Sequence, residues 1–160
     1  MKPILILIAL LSSALTAAGD RPASFRDWGM RCPDRGPCIL EQRVYVEGND
    51  ETPLLQVAFR AAGDDGRLLV AILVPLGVLL PPGIELAVDG GASRRIPFHH
   101  CRAEGCLALL ELTDGLRGEL ERGREARLRY VLTDGRSLGL PLSLLGITAG
   151  LRALDAAGNQ

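Results

Sequence analysis

The sequence predicts an all-β fold, an antiparallel β-sandwich or barrel-like domain with one or two short helices. Short apolar runs rich in valine, isoleucine and aromatic residues recur along the chain, as is typical of strands. Turn residues separate these runs at spacings that favour a sandwich or barrel rather than βαβ units. With 160 residues, the chain is long enough for a single domain with a sizeable core.

Residues 1–18 have the pattern of a secretory signal peptide. Lys2 is a basic start, residues 4–11 are an apolar core, and Thr16-Ala17-Ala18 offers small residues for cleavage before Gly19. An N-terminal membrane anchor is the alternative interpretation. We therefore predict an exported chain, periplasmic or secreted, whose residues 19–160 form one domain without a stable membrane span.

The charge balance argues against a nucleic-acid binder. Removal of residues 1–18 takes away Lys2, the only lysine, and leaves 17 basic residues, all arginine, against 19 acidic ones. A nucleic-acid-binding domain is expected to carry a dense basic face. The function classes that remain are binding to a protein, to an envelope component or to a small ligand.

A long apolar run predicts the central strand. Residues 68–80 are nearly all apolar, but a membrane helix needs about 20 such residues, and Pro75 and Gly77 interrupt the run. We predict a core strand at Leu68–Val74 that ends at Pro75, because proline cannot donate to a β-ladder. An exposed apolar contact surface at Val74–Leu80 is the alternative to a fully buried run.

The remaining elements follow from alternation and turn signals. After a short opening strand in residues 25–32, we predict strands at Ile39–Glu47, Leu54–Arg60, Ile84–Val88, Arg94–Phe98, Leu107–Leu112, Glu125–Thr133 and Ser137–Leu142. Asp89-Gly90-Gly91 supplies the positive φ angles of a tight hairpin. Pro141 places the last strand at an edge or marks its end.

Two short helical segments are expected near the end of the chain. Thr113–Glu121 has leucines four residues apart and an N-cap at Thr113 or Asp114. Leu144–Leu154 is predicted as a terminal helix or turn. The six residues after it are polar, and we expect them to fray.

Four cysteines, Cys32, Cys38, Cys101 and Cys106, remain after signal cleavage. Four cysteines allow three connectivities. We favour local pairing, Cys32 with Cys38 and Cys101 with Cys106, because each pair flanks turn residues. A four-thiolate zinc site is the alternative, but its usual spacings are shorter, and an oxidising compartment favours disulfides.

A set of segments in a fixed order covers nearly all of residues 25–154. The segments are Phe25-x-Asp27-Trp28-x-x-x-Cys32, Cys38-x-Leu40-x-Gln42, Leu73-Val74-Pro75-Leu76-Gly77-Val78-x-Leu80, Gly83-Ile84-x-Leu86-x-Val88-Asp89-Gly90, Pro97-Phe98-x-x-Cys101-x-x-x-Gly105-Cys106 and Leu142-Ser143-Leu144-x-Gly146-Ile147-Thr148-x-Gly150-Leu151. Together they resemble the invasion-associated locus B (IalB-like) family of exported bacterial proteins. The resemblance implies a periplasmic or secreted all-β domain and, for some members, a link to entry into host cells. It brings no catalytic residues with it.

Candidate site residues are few. His99 and His100 are adjacent, so on a strand they point to opposite faces and rarely bind one metal. Trp28 is interpreted as a core anchor, with ligand stacking as the alternative. We predict a non-enzymatic domain, without cofactor or metal, that binds a protein or cell-envelope component. A small-ligand carrier or unrecognised hydrolase with a pocket near Trp28, His99 and His100 is the alternative, and the sequence does not determine an oligomeric state.

Overall fold

The computed structural model describes residues 22–48, 51–63 and 66–158, so the predicted signal peptide at residues 1–18 lies outside the described residues. The elements in the described part of the chain are β1 (Ala23–Phe25), β2 (Trp28–Arg31), β3 (Ile39–Val44), β4 (Leu55–Ala61), β5 (Leu68–Val74), β6 (Ile84–Val88), β7 (Arg94–Ile96), β8 (Phe98–Arg102), β9 (Gly105–Glu111), α1 (Asp114–Arg122), β10 (Glu125–Val131), β11 (Ser137–Ser143) and α2 (Ile147–Gly158). The predicted all-β class with one or two short helices is confirmed.

The described strands form two antiparallel sheets. The large sheet has the order β1-β2-β3-β4-β5-β9-β8, and the small sheet has the order β11-β10-β6-β7. The strand β5 ends at Val74, directly before Pro75, as predicted. Pro141 lies in β11, an edge strand of the small sheet, where a missing N–H is tolerated.

Two strand predictions were wrong. The short opening strand expected in residues 25–32 is instead an antiparallel pair, β1 and β2, with a turn at Arg26 and Asp27. The expected strand Arg94–Phe98 is divided at Pro97 into β7, which belongs to the small sheet, and β8, which belongs to the large sheet. Proline lacks the N–H that a ladder needs, so Pro97 lies where the chain leaves one sheet for the other. As a result His99 and His100 lie within β8.

The core lies between the two sheets, and every described strand except β1 and β8 contributes buried residues to it. In β5 the buried residues alternate with half-buried ones, from Leu68 to Val74, and in β10 Ala126, Leu128 and Tyr130 are buried in the same way. The Tyr130 hydroxyl donates to the carbonyl of Leu54 at 3.0 Å. Burial raises the pKa of Tyr130 above its ordinary value of 10.0, because a buried phenolate lacks hydration.

Helix α1 follows the sequence prediction closely. The Thr113 side chain caps it by accepting a hydrogen bond from the backbone N–H of Leu116 at 3.3 Å. Leu116 and Leu120 are both buried, which places the apolar face of the helix on the core.

Helix α2 is longer at its C-terminus than predicted. It continues to Gly158, whereas the sequence led us to expect frayed residues after Leu154. Arg117 of α1 holds the last turns through Asp155, with Nη2 2.6 Å from Oδ2 and Nη1 3.2 Å from Oδ1. This ion pair raises the pKa of Arg117, and it joins two helices whose contact the local sequence does not reveal.

The four cysteines are at disulfide distance in two local pairs, and none is free. Cys101 and Cys106 are directly opposite each other in the β8–β9 hairpin, with Cα atoms 4.0 Å apart. Cys32 and Cys38 lie just beyond the paired ends of β2 and β3, with Cα atoms 4.1 Å apart. Each pair therefore joins the two strands of one hairpin.

Among residues 22–48, 51–63 and 66–158, no group of three or more His, Cys, Asp or Glu side chains is placed to hold a metal ion. Within the same ranges, no helix has both the length and the apolar character required to cross a membrane.

Candidate protein-contact surface

The connection from β5 to β6, residues 75–83, carries the chain from the large sheet to the small one. Gly77 adopts φ +93°, a left-handed conformation that favours glycine. Val78 then forms an isolated β-bridge with Leu132, and the N–H of Leu79 donates to the end of β10 at 2.8 Å. The connection is therefore held against the small sheet by backbone hydrogen bonds.

This anchoring leaves three leucines in solvent. Leu76 is 57% exposed, Leu79 is 37% exposed and Leu80 is 50% exposed, whereas Val74 before them and Val78 between Leu76 and Leu79 are buried. Single exposed apolar residues are common on protein surfaces, whereas large groups of them are found at interaction sites; these three lie within five consecutive residues. We call Leu76, Leu79 and Leu80 the leucine patch. The expectation that the whole apolar run is core is corrected here, because the connection between the sheets has only one buried side.

A shallow groove adjoins the leucine patch. It has a volume of about 220 Å³, and its apolar lining includes Pro53, Leu73, Pro75 and Leu76, with Glu104 among its polar residues. Such a groove has room for one side chain of a partner, and it extends the apolar surface toward the β8–β9 hairpin.

Trp28 occupies a different position, within a polar seam between the sheets. It is 1% exposed, and its indole N–H donates to the carbonyl of Ser143 at 3.0 Å. The side chain of Gln42 donates to the carbonyls of Asp27 and Ser143 at 2.9 and 3.2 Å and accepts from the Ser143 N–H at 3.0 Å. The Ser143 hydroxyl donates to Asp27 at 2.5 Å.

The seam explains part of the segment pattern found in the sequence. Asp27, Trp28, Gln42 and Ser143 come from three separate segments, and they converge where the β1–β2 turn, β3 and β11 meet. Each of these polar groups is used to join elements, so Trp28 anchors the core instead of lining an accessible pocket. Only the spacing of the segments hinted at this convergence, since no local rule joins residues more than 100 positions apart.

The histidines lie at the opposite edge of the large sheet. His99 is exposed and His100 is half-buried on β8, and their Nδ1 atoms are 2.7 Å apart, at a local irregularity of the strand. Five strand spacings separate β8 from β2, which places the histidines roughly 24 Å from Trp28 at about 4.8 Å per spacing. The structure therefore does not bring the three candidate ligand contacts together into one pocket.

Comparisons with known proteins agree on one family. The family model described as "Invasion associated locus B (IalB) protein" matches residues 28–155. Two curated relatives from Brucella abortus, strain 2308 and biovar 1 strain 9-941, are each named as an invasion protein B homolog. Each is 24% identical to this chain over 154 residues, covering 94% of this chain and 88% of the relative.

Among solved structures, the crystal structure of invasion associated protein b from Bartonella henselae matches with a TM-score of 0.76. The match has 20% sequence identity and covers 88% of this chain and 99% of the other. At this level of identity the similarity establishes a shared fold.

Proposed function

Because this chain belongs to the invasion associated locus B family, we propose that it is an exported, non-enzymatic β-domain that binds another protein of the cell envelope through the leucine patch. The names of its Brucella relatives refer to invasion. A contribution to contact with host cells, through the same bound protein, is part of the proposal.

The proposal of export is supported by two features of the chain. Residues 1–18 have the pattern of a signal peptide. All four cysteines are at disulfide distance in pairs, and disulfides persist in oxidising compartments such as the periplasm. A periplasmic or secreted location follows from this reasoning.

The leucine patch is the single observation that carries the binding role. Full burial of one leucine side chain stabilises by about 1.5–3 kcal/mol, and the leucines are already between one third and two thirds exposed. A partner that covers them gains part of that free energy for each side chain. Because backbone hydrogen bonds hold residues 77–79, little conformational entropy is lost on binding.

Site-specific photocrosslinking in the exporting cell tests this proposal. A photoreactive amino acid at position 76 or 80 should crosslink to one envelope protein. The control position is Leu145, which is similarly exposed, at 47%. It follows the end of β11 that pairs with Glu125 at the start of β10, whereas Leu79 is bonded to Val131 at the end of β10. Adducts of the same protein from positions 76 and 145 alike would show non-specific capture and refute the patch.

Binding by purified components must then agree with the crosslink. Leu76→Arg and Leu80→Arg should each weaken binding of the identified protein by about tenfold or more, as expected when an apolar anchor is lost from an interface. Leu145→Arg should leave binding unchanged. Unaltered binding by both patch variants would overturn the proposal.

A further inference from the structure

The large sheet has a second apolar surface that the core does not use. In β5 the buried residues of the core alternate with Leu69, Ala71 and Leu73, which are half-buried and point to the opposite side, since successive side chains of a strand alternate. Leu109 is paired with Ala71, and Leu107 with Leu73. We call these five residues the outer patch.

The outer patch lies away from the rest of the fold. Buried residues of α1, α2 and the small sheet belong to one core cluster that includes Val70 and Ile72 of β5. These elements therefore pack on the core side of the large sheet. No helix or strand in the described parts of the chain covers the outer patch.

Charges flank the outer patch in a definite order. The strand register places Arg60 of β4, Leu69 of β5 and Glu111 of β9 in one row across the sheet. Arg60 and Glu111 are exposed, and two strand spacings, roughly 10 Å, separate them. Within one chain Leu69 lies between them, and Arg60 and Glu111 form no ion pair with each other in the described structure. Glu111 has an exposed intrachain contact with Arg67 at 3.8 Å, which contributes little in solvent.

A two-fold axis parallel to β5 matches the apolar residues of β5 with themselves and Arg60 with Glu111. If such an axis lies between two facing sheets, it places β4 of one copy opposite β9 of the other and β5 opposite β5. Each residue keeps its position along the strand direction. The axis therefore brings Leu69, Ala71 and Leu73 against the same residues of a second copy. It also brings Arg60 of each copy opposite Glu111 of the other.

We propose that two copies of this chain form a homodimer through this outer face of the large sheet, with a two-fold axis parallel to β5. Two-fold dimers are the commonest homo-oligomers, and their interfaces are self-complementary, as the row from Arg60 to Glu111 requires. An apolar centre with a charged rim is also the usual anatomy of a protein interface.

The size of the face suits this occupant. Seven strands and a central strand of seven residues give a face of up to roughly 650 Å², from strand spacings of about 4.8 Å and about 3.3 Å per residue. A standard interface buries about 800 Å² of accessible surface on each partner, and protruding side chains add to the planar area. The small sheet, with four strands, has a smaller face.

Sedimentation equilibrium of the wild type and of variants that exchange the charges at positions 60 and 111 tests the dimer. The processed protein, purified from the exporting cell, should show a reversible monomer–dimer equilibrium between about 1 µM and about 1 mM, the range of moderate interface affinities. Arg60→Glu and Glu111→Arg should each weaken the dimer by about tenfold or more, because each places like charges opposite one another. The double variant Arg60→Glu/Glu111→Arg should restore the wild-type dissociation constant.

A second variant tests the axis itself. Ala71→Glu places two carboxylates against each other at the two-fold and should abolish the dimer. Unchanged fluorescence of Trp28, and a melting temperature equal to that of the wild type at a concentration where the wild type is monomeric, would show that this monomer still folds. A wild-type protein that stays monomeric at the highest concentration, or single variants that dimerise as the wild type does, would overturn the inference.

The leucine patch provides the matched control. Leu80→Arg should not change the dimer, since Leu80 belongs to the connection after β5 and, unlike Leu76, does not line the groove that includes Leu73 of the outer patch. Loss of partner binding with an intact dimer, or the reverse, therefore separates this inference from the proposed function.

Discussion

The substitution Gly150→Ala tests how closely α2 packs on the large sheet. A Cβ atom at Gly150 would lie 2.6 Å from Cδ1 and 2.9 Å from Cδ2 of Leu40, which is fully buried in β3. Overpacking of this kind costs about 1–3 kcal/mol, and replacing glycine by alanine within a helix returns up to about 1 kcal/mol. We therefore expect the free energy of unfolding to fall by about 1–2 kcal/mol.

Urea unfolding of the disulfide-intact protein measures this change. Trp28 is the only tryptophan, and because it is buried its fluorescence reports the loss of the core. The urea midpoint should fall while the slope with denaturant stays constant. Gly158→Ala is the control, since a Cβ there meets nothing within 4 Å. Its free energy of unfolding should stay within about 0.5 kcal/mol of the wild type.

A truncated neighbour should reverse the sign of the effect. Leu40→Ala alone should cost about 2–5 kcal/mol because it leaves a cavity. In that background Gly150→Ala adds a methyl group to the vacated space and should recover about 1 kcal/mol, so the two substitutions are coupled. If Gly150→Ala stabilised the wild-type protein, the packing argument would be wrong.

Three further perturbations address other parts of the fold. Gly146→Ala should lower the free energy of unfolding by more than about 2 kcal/mol, because φ at Gly146 is +93° and a Cβ atom would overlap a backbone carbonyl of β1. Gly135→Ala, in an open turn, should cost about 1 kcal/mol. Equal costs for the two substitutions would contradict this account. The raised pKa of Tyr130 means that the unfolded phenol ionises first, so stability should decline above about pH 10; Tyr130→Phe should flatten that decline in urea unfolding at pH 8–11, and identical pH profiles would refute the assignment. Removing the β8–β9 disulfide by Cys101→Ser/Cys106→Ser should cost about 2 kcal/mol, measured from the urea midpoint, and complete unfolding would show that this bond holds more than one hairpin.

Local signals accounted for most of the secondary structure. The Asp89-Gly90 hairpin has positive φ at both positions, 47° and 73°, as the residue types require. The cap at Thr113 and the local pairing of the cysteines follow in the same way from residues a few positions apart. These features are predictable because short-range geometry and turn chemistry decide them.

Contacts between residues far apart in the sequence account for the differences between the predicted and the observed structure. The residues near Pro97 do not predict that β7 and β8 belong to different sheets. The extension of α2 depends on the ion pair of Asp155 with Arg117, which is 38 residues away in the sequence. The bonds of Trp28 and Gln42 to Ser143 likewise join positions more than 100 residues apart.

The leucine patch and the outer patch also depend on tertiary contacts that the local sequence does not predict. The residue pattern of β5 shows that both of its faces are apolar, but it does not say which face the core covers. Leu76 and Val78 look alike in the sequence, and only the bridge to Leu132 decides that Val78 is buried while Leu76 is exposed. The row of Arg60, Leu69 and Glu111 exists only through strand register.

The sequence by itself therefore determined the fold class, most of the strands and turns, the cysteine pairs and the family resemblance, because these depend on residue type and on neighbours within a few positions. The tertiary structure alone decided which apolar residues remain in solvent. That outcome depends on how two sheets and two helices share a single core, which can bury only one face of the large sheet.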